Sequence, residues 1–356
     1  MSQLSRHQDT PDPRRRGGSV PSIRDVAAAA GVSYQTVSRV LNGSPKVAPE
    51  TRRQVLEAIE RLGFRPNRAA RALGRGRARA VTVVTSNTTL YGYASTLQGI
   101  EEAARENGLA VGMRVIESAR SADVRQAVEY VSDLSAGGVI VVAFDAEGVE
   151  VLRSLPAEVP AVAAIEPGLL PETGRTMICL DEGPAAADAT RHLLSLGHRL
   201  VHHVAIPSET GTRGREAGWR QALAEAGLQA PPVVAAGWDA RSAYEAGQVL
   251  AADPSVTAIL CGNDDTALAV RRALYDAGRD VPGDVSIVGF DDVPGSAYWI
   301  PALTTVRIDF AALGRACLAA VLAQLDSEPQ AAPVLAPPVL VVRESTAPRH
   351  PMNTRS

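Results

Sequence analysis

The sequence predicts an α/β chain with a small helical head. Three helices in a helix-turn-helix pattern and a fourth short helix precede two doubly wound α/β subdomains. Three observations lead there. The chain has 356 residues, more than one core usually organises. Charge is divided: residues 1–80 hold 16 Lys and Arg against 6 Asp and Glu, a net of +10, while residues 81–356 hold 20 and 33, a net of −13. The apolar pattern also changes, from helical spacing in the first 80 residues to short β-rich runs alternating with helical stretches from Ala80 onward. A basic head on an acidic body points to a polyanionic partner for the head alone.

Residues 1–21 lack the apolar stretch of a signal peptide and read as a disordered basic tail. No run of 18 apolar residues exists, so no membrane span is expected. Cys179, Cys261 and Cys317 are too widely spaced for a metal pattern, which fits a reducing, cytoplasmic setting, and each is expected to be a small buried residue.

Ser22 is placed to cap a helix starting at Ile23, with Ile23, Val26, Ala27 and Ala30 on one face. Gly31 stops it, and Ser33 caps a second helix over about Tyr34 to Asn42. At roughly 100° per residue, Val37, Val40 and Leu41 form one stripe, with Gln35 and Arg39 pointing away from most of it. Tyr34, Gln35 and Arg39 lie toward the end that enters the major groove in this motif. Arg can bond guanine in a bidentate manner and Gln can pair with adenine, while Thr36 and Ser38 suit phosphates. A plain surface helix would show the same polar arc. The next segment, APETRRQVLEAIERLGF, is a third amphipathic helix with Pro49 in its first turn, Val55, Ile59 and Leu62 inward, and Gly63 at its end.

In RPNRAARALGRGRARA, Asn67 can cap a helix of about seven residues, which is marginal alone in water. Ala69, Ala70 and Ala72 would let two copies approach closely, Arg68, Arg71 and Arg75 would meet phosphates, and Leu73 could wedge a base step from the minor groove. A basic linker is the competing reading.

The stretch from Ile23 to Leu73 resembles the DNA-binding head and hinge of the lactose-repressor (LacI/GalR) family. The resemblance implies that Tyr34, Gln35 and Arg39 read an operator with help from Thr36 and Ser38. It implies a hinge helix over Asn67 to Leu73, with Asn67, Arg68, Ala70 and Leu73 toward DNA and Leu73 as the minor-groove lever. HLLSLGHR, GREAGWRQAL, NDDTALAVRRAL, VPGDVSIVGFDDVP and IPALTTVRIDF extend the likeness to the family's ligand-binding core, of periplasmic-binding-protein type. The expected organisation is a tail (1–21), a helix-turn-helix domain (22–66), a hinge helix and linker (67–79), an effector-binding and dimerisation core (80–345) and a disordered tail (346–356). STAPRHPMNTRS carries no leucine heptads for tetramerisation, so a homodimer is expected.

By the same likeness Arg215, Asn263 and Asp291 contact a small effector, at strand ends or helix starts where α/β crevices bind ligands. Trp238 aligns with an aromatic that stacks on sugar, with core packing as the alternative. Ser86 and Asn87, after the first strand, are further candidates for the cleft. The family's acidic sugar contact falls at either Ile165 or Glu166.

Hydrolase, metalloprotease, phosphate-loop and dinucleotide motifs are missing from the sequence. Asp264–Asp265 and Asp291–Asp292 are sequence neighbours that rarely face one bond, and His202–His203 alternate across a strand. No enzymatic activity and no cofactor or metal are expected. The function implied is a repressor of carbohydrate genes, bound to operator DNA and released by a sugar. A corepressor-dependent regulator and an exported sugar receptor are the rivals.

Overall fold

The computed structural model describes residues 21–41, 44–64, 80–133, 137–166, 174–208, 214–326 and 334–349. It divides into two compact units, Met1–Ala78 and Arg79–Ser356.

The first unit contains α1 (Ile23–Ala29), α2 (Tyr34–Leu41) and α3 (Pro49–Leu62). Ser22 closes a capping box on α1: its hydroxyl accepts from the Asp25 amide at 3.3 Å, and the Asp25 carboxylate accepts from the Ser22 amide at 2.7 Å. Ser33 caps α2 by accepting from the Thr36 amide at 3.2 Å. The left-handed turn between them falls on Gly31 at φ +64°, and Gly63 at φ +60° ends α3 in the same conformation. Val26, Val37, Val40, Val55 and Ala58 are buried together, with Ile23, Leu41, Ile59 and Leu62 packed around them. Arg61 ties α3 to the end of α1 through the Ala29 carbonyl at 3.1 Å. Asn42, the expected last residue of the second helix, lies outside the described residues, as do residues 1–20, residues 350–356 and the whole hinge segment. The expected disordered tail from 346 needs one correction, because its first four residues are tied to the core: the Ala347 amide donates to the Ser286 hydroxyl at 3.1 Å and the Arg349 amide to the Leu196 carbonyl at 2.8 Å.

The second unit holds two sheets. The first contains β1 (Ala80–Thr85), β2 (Ala110–Val115), β3 (Gly138–Ala143), β4 (Ala161–Ile165) and β5 (Thr176–Ile178), ordered β2-β1-β3-β4-β5 and parallel throughout. The second contains β6 (His202–Ala205), β7 (Val234–Ala235), β8 (Ala258–Cys261), β9 (Ser286–Asp291), β10 (Thr304–Arg307) and β11 (Val339–Val341), ordered β11-β10-β9-β8-β6-β7. Its strands are parallel except β11, which pairs antiparallel with β10. The last strand, β11, follows α11 and returns along the edge of the second sheet, where it pairs with β10 alone.

Helices cover the first sheet: α4 (Tyr91–Glu106), α5 (Ser121–Asp133), α6 (Ala146–Ser154) and, from far along the chain, α11 (Phe310–Asp326). The second is covered by α7 (Gly183–Ser195), α8 (Arg215–Glu225), α9 (Ala240–Ala251) and α10 (Asp264–Asp276). The chain therefore passes between the sheets after β5, after β10 and after α11. One core cluster runs through both, joining Val83 and Ile140 of one sheet to Leu260 and Val288 of the other, and each sheet packs a further cluster of its own. Helices α4 and α11 approach so closely that a Cβ on Gly99 would fall on the Ala311 carbonyl, and one on Gly314 on the Thr96 carbonyl. The cysteine expectation needs one correction: Cys261 and Cys317 are buried, but Cys179 is exposed just past β5, an edge strand with one paired side.

Candidate ligand cleft and nucleic-acid interface

In the head, α2 carries Val37 and Val40 into the core and leaves Tyr34, Gln35 and Arg39 exposed. Thr36 and Ser38 are half-buried between these faces, with the Thr36 hydroxyl 2.9 Å from that of Ser33. The helix is thus held by its apolar stripe and offers a guanidinium, an amide and a phenol on the other side. Those groups can hydrogen-bond base edges without disturbing the core. Asn67, Arg68, Ala70 and Leu73 lie outside the described residues.

In the second unit, parallel strands of both sheets end around one cavity that encloses about 560 Å³ of non-protein space, mouth included. Every wall is a strand-end loop or a helix start, because in parallel α/β sheets the carboxyl ends of the strands open onto the crevice. Arg215, Trp238, Asn263 and Asp291 all line it. Their origins differ: Arg215 opens α8, Trp238 follows β7, Asn263 precedes α10 and Asp291 ends β9.

Arg215 is the centre of the polar side. Its Nε and Nη2 donate to the Glu182 carboxylate at 2.7 and 3.1 Å, Nη1 donates to the Gly262 carbonyl, and Nη2 also reaches Asp291 at 3.4 Å. The guanidinium lies 4.6 Å from the Phe290 ring centroid. Burial works against its charge, yet Glu182 and Asp291 outweigh that and hold its pKa above the usual arginine range. Asp291 is pushed up to about 6, mainly by burial, with Arg215 pulling the other way. It sits at φ +100°, a strained backbone for a non-glycine residue at the cleft floor.

Asn263 caps α10 by accepting from the Thr266 amide at 2.8 Å, and its amide NH2 makes no hydrogen bond among the described residues. Trp238 is partly buried, whereas Trp219 is fully buried with its indole N–H bonded to the Val201 carbonyl. The first lines the cleft and the second belongs to the core.

Both Ile165 and Glu166 reach the cavity, so the two registers left open by the sequence converge on one wall. Glu166 accepts from Ser208 at 3.0 Å, a bond between the β4 end and the β6 end. Burial, then the Glu182 charge, pushes its pKa up to about 7. Ser86 and Asn87 are not among the lining residues. Ser86 donates instead to Asp145, which also accepts from Tyr93 at 2.6 Å, so Ser86 supports the lining residue Tyr93 from behind. The Asn87 side chain folds back onto the Thr89 and Leu90 amides at 2.8 and 2.9 Å.

Sequence reasoning missed Glu182 and an aromatic wall. Tyr93 meets Phe144 edge-on at 5.1 Å, and Phe144 lies 6.1 Å from Phe310. With Phe290 under Arg215, three of the chain's four phenylalanines gather at this cleft. That scarcity was an available signal. An apolar aromatic wall facing a floor of hydrogen-bonding groups suits a ligand with one C–H face and several hydroxyls. No group of residues that could hold a metal ion occurs among the described residues, nor any helix long and apolar enough to cross a membrane.

The comparisons agree on both halves. A model of bacterial regulatory proteins of the lacI family matches residues 22–67, and one of a periplasmic binding protein-like domain matches residues 190–346. The HTH-type transcriptional regulator GalR of Escherichia coli strain K12 is 33% identical over 314 residues, 86% of this chain and 90% of that protein. The crystal structure of the lac repressor dimer bound to operator and the anti-inducer ONPF is similar with a TM-score of 0.82 at 30% identity, covering 92% of this chain and all of that one. The transcriptional regulator CelR in complex with cellobiose is similar with a TM-score of 0.66 at 29% identity, covering 91% of this chain and 99% of that one.

Proposed function

Because this chain belongs to the lacI family of bacterial regulatory proteins, we propose that it represses carbohydrate genes from an operator and leaves that operator when a sugar fills the cleft. The observation that carries the reading is the cleft itself. Arg215, Asn263, Asp291 and Trp238 come from four separate strand ends of a chain that also carries a reading helix with Tyr34, Gln35 and Arg39 exposed.

The protein works as a homodimer in the cytoplasm, with two heads on a near-palindromic operator whose half-sites lie about one helical turn apart. Tyr34, Gln35 and Arg39 read base edges, while Thr36 and Ser38 meet phosphates. The hinge over residues 67–79 pairs with its copy on DNA, where Arg68 contacts phosphate, Ala70 permits close approach and Leu73 wedges the central step.

The cleft joins the sheets through the Glu166–Ser208 bond and through side chains from both around one cavity. A ligand touching both sheets stabilises one relative arrangement over another. Coupling of about 1–3 kcal/mol corresponds to a roughly 5- to 150-fold change in operator affinity, and DNA must weaken sugar binding by the same factor.

The test is a gel shift on DNA from upstream of the protein's own gene, with and without galactose, glucose and cellobiose. Retarded DNA released by one of them is the expected result. Retardation only in the presence of ligand would instead establish a corepressor, and no retardation under any condition would overturn the reading.

A further inference from the structure

We propose that Arg343, just past the antiparallel edge strand β11, is a positioning residue for the cleft: by holding Asp292 it fixes the left-handed turn that aims the neighbouring Asp291 at the ligand. This rests on the sugar-effector reading above, in which Asp291 contacts the sugar.

Asp291 ends β9 at φ +100°, and Asp292 follows it at φ +55°. Two successive non-glycine residues in this region are unfavourable, because each Cβ crowds the following carbonyl oxygen. Such a turn persists only where its surroundings hold it. The Asp291 side chain does little of the holding. Among the described residues its carboxylate accepts one hydrogen bond, from Arg215 at a long 3.4 Å.

Asp292 is the anchored neighbour. Its side chain is 8% exposed, and one carboxylate oxygen accepts from Arg307 Nε at 2.7 Å. The other accepts from Arg343 Nη2 at 2.5 Å and from the Ser296 hydroxyl at 3.2 Å. Burial works against its charge, yet Arg307 and Arg343 outweigh that and hold its pKa below the ordinary value. The two arginines are not equivalent: the Arg343 side chain is 16% exposed and that of Arg307 58%. Arg343 is also fixed at both ends. Its Nη1 donates to the Leu303 carbonyl at 2.7 Å, and its backbone amide donates to the Thr304 hydroxyl at 2.9 Å. A buried, tethered guanidinium restrains its partner more than one held in solvent does.

The turn is clamped on its far side too, where the Val293 amide donates to Asp264 at 2.8 Å. Of Asp264, Asp291 and Asp292, Asp291 alone lines the cleft, and neither Arg307 nor Arg343 reaches it. Arg343 therefore acts on the ligand through the turn. Binding groups work within about 0.5 Å of their productive geometry, so a turn relaxed toward ordinary φ takes the Asp291 carboxylate out of register.

The test compares variants of the full-length protein by calorimetric titration with galactose, glucose and cellobiose, and by gel shift on DNA from upstream of its own gene. Arg343→Met should weaken binding of the sugar that the parent takes by about 10-fold or more, because a hydrogen bond to a buried charge is lost from the turn. Its affinity for DNA without sugar should stay within about twofold of the parent, since the head is a separate unit. Arg343→Lys, which keeps the charge and one donor direction, should bind sugar with an affinity between the two. Val256→Ala is the control for loosening alone: Val256 is fully buried ahead of β8, at the strand end away from the cleft, and its loss should leave sugar affinity near that of the parent. If Arg343→Met melts early, Arg307→Met removes the exposed partner and should weaken sugar binding by about threefold. Unchanged sugar affinity in both arginine variants, an equal loss in Val256→Ala, or a parallel loss of DNA affinity overturns the proposal alone. No binding of the three sugars by the parent removes the sugar-effector reading and this proposal with it.

Discussion

Replacing Arg215 by Met removes the charge at the centre of the cleft and keeps much of the apolar stem. The guanidinium and its two carboxylate partners are each about nine-tenths buried, with side-chain exposures of 12% for Arg215 and 9% for both Glu182 and Asp291. Deleting one partner of such a group leaves unpaired buried charge and costs about 3–5 kcal/mol. Loss of the contact over Phe290 adds roughly 0.5–2 kcal/mol. At about 2–4 °C per kcal/mol for a domain of this size, melting should fall by on the order of 10 °C near pH 8.

A second arm tests the cause. Arg215 lowers the pKa of both Asp291 and Glu166, which nevertheless stand at about 6 and about 7, above their ordinary values of 3.8 and 4.5. Without Arg215 both rise further. A carboxyl whose folded pKa exceeds its unfolded pKa binds more protons in the native state, so stability increases as pH falls through the folded value. The deficit of Arg215→Met should therefore be largest at pH 8 and shrink toward pH 5. Melts followed by circular dichroism, for parent and variant at both pH values, supply the comparison. A loss below about 1 kcal/mol, or one of equal size at both pH values, would refute an electrostatic role for Arg215.

Gly99→Ala should drive α4 away from the Ala311 carbonyl on α11 and cost about 1–3 kcal/mol, read as a lower denaturation midpoint with little change in the DNA-binding head. Asp264 is fully buried, accepts from the Val293 amide at 2.8 Å, bonds the Thr305 hydroxyl at 2.5 Å, and is pushed up to about 8, chiefly by burial. Its contribution to stability should fall as pH rises from about 4 to about 8, and Asp264→Asn should flatten the thermal stability profile over that window; an unaltered slope would count against the assignment. Arg39→Ala should cost about 1–3 kcal/mol on a selected operator and relax preference at one base pair, measured by competition gel shifts against single-base variants.

What the sequence alone settled was local. Ser22, Ser33, Gly31 and Gly63 mark helix ends because caps and left-handed turns depend on a few neighbouring residues, and the structure has each doing that work. The alternation from Ala80 onward gave the two-subdomain α/β class for the same reason: burial on one helix face or in a parallel strand leaves a period in the chain. The family's motif spacing also indicated Arg215, Asn263, Asp291 and Trp238, all of which line the cavity. The crossings between sheets, the antiparallel strap β11 and the cleft's contents depended on residues far apart in the chain. Glu182 meets Arg215 across 33 positions, Asp291 meets it across 76, and Glu166 meets Ser208 across 42. No local pattern records such pairings, because they are chosen by the packing of whole elements. Only the tertiary structure could decide that Ser86 supports the wall instead of forming it and that Cys179 faces outward.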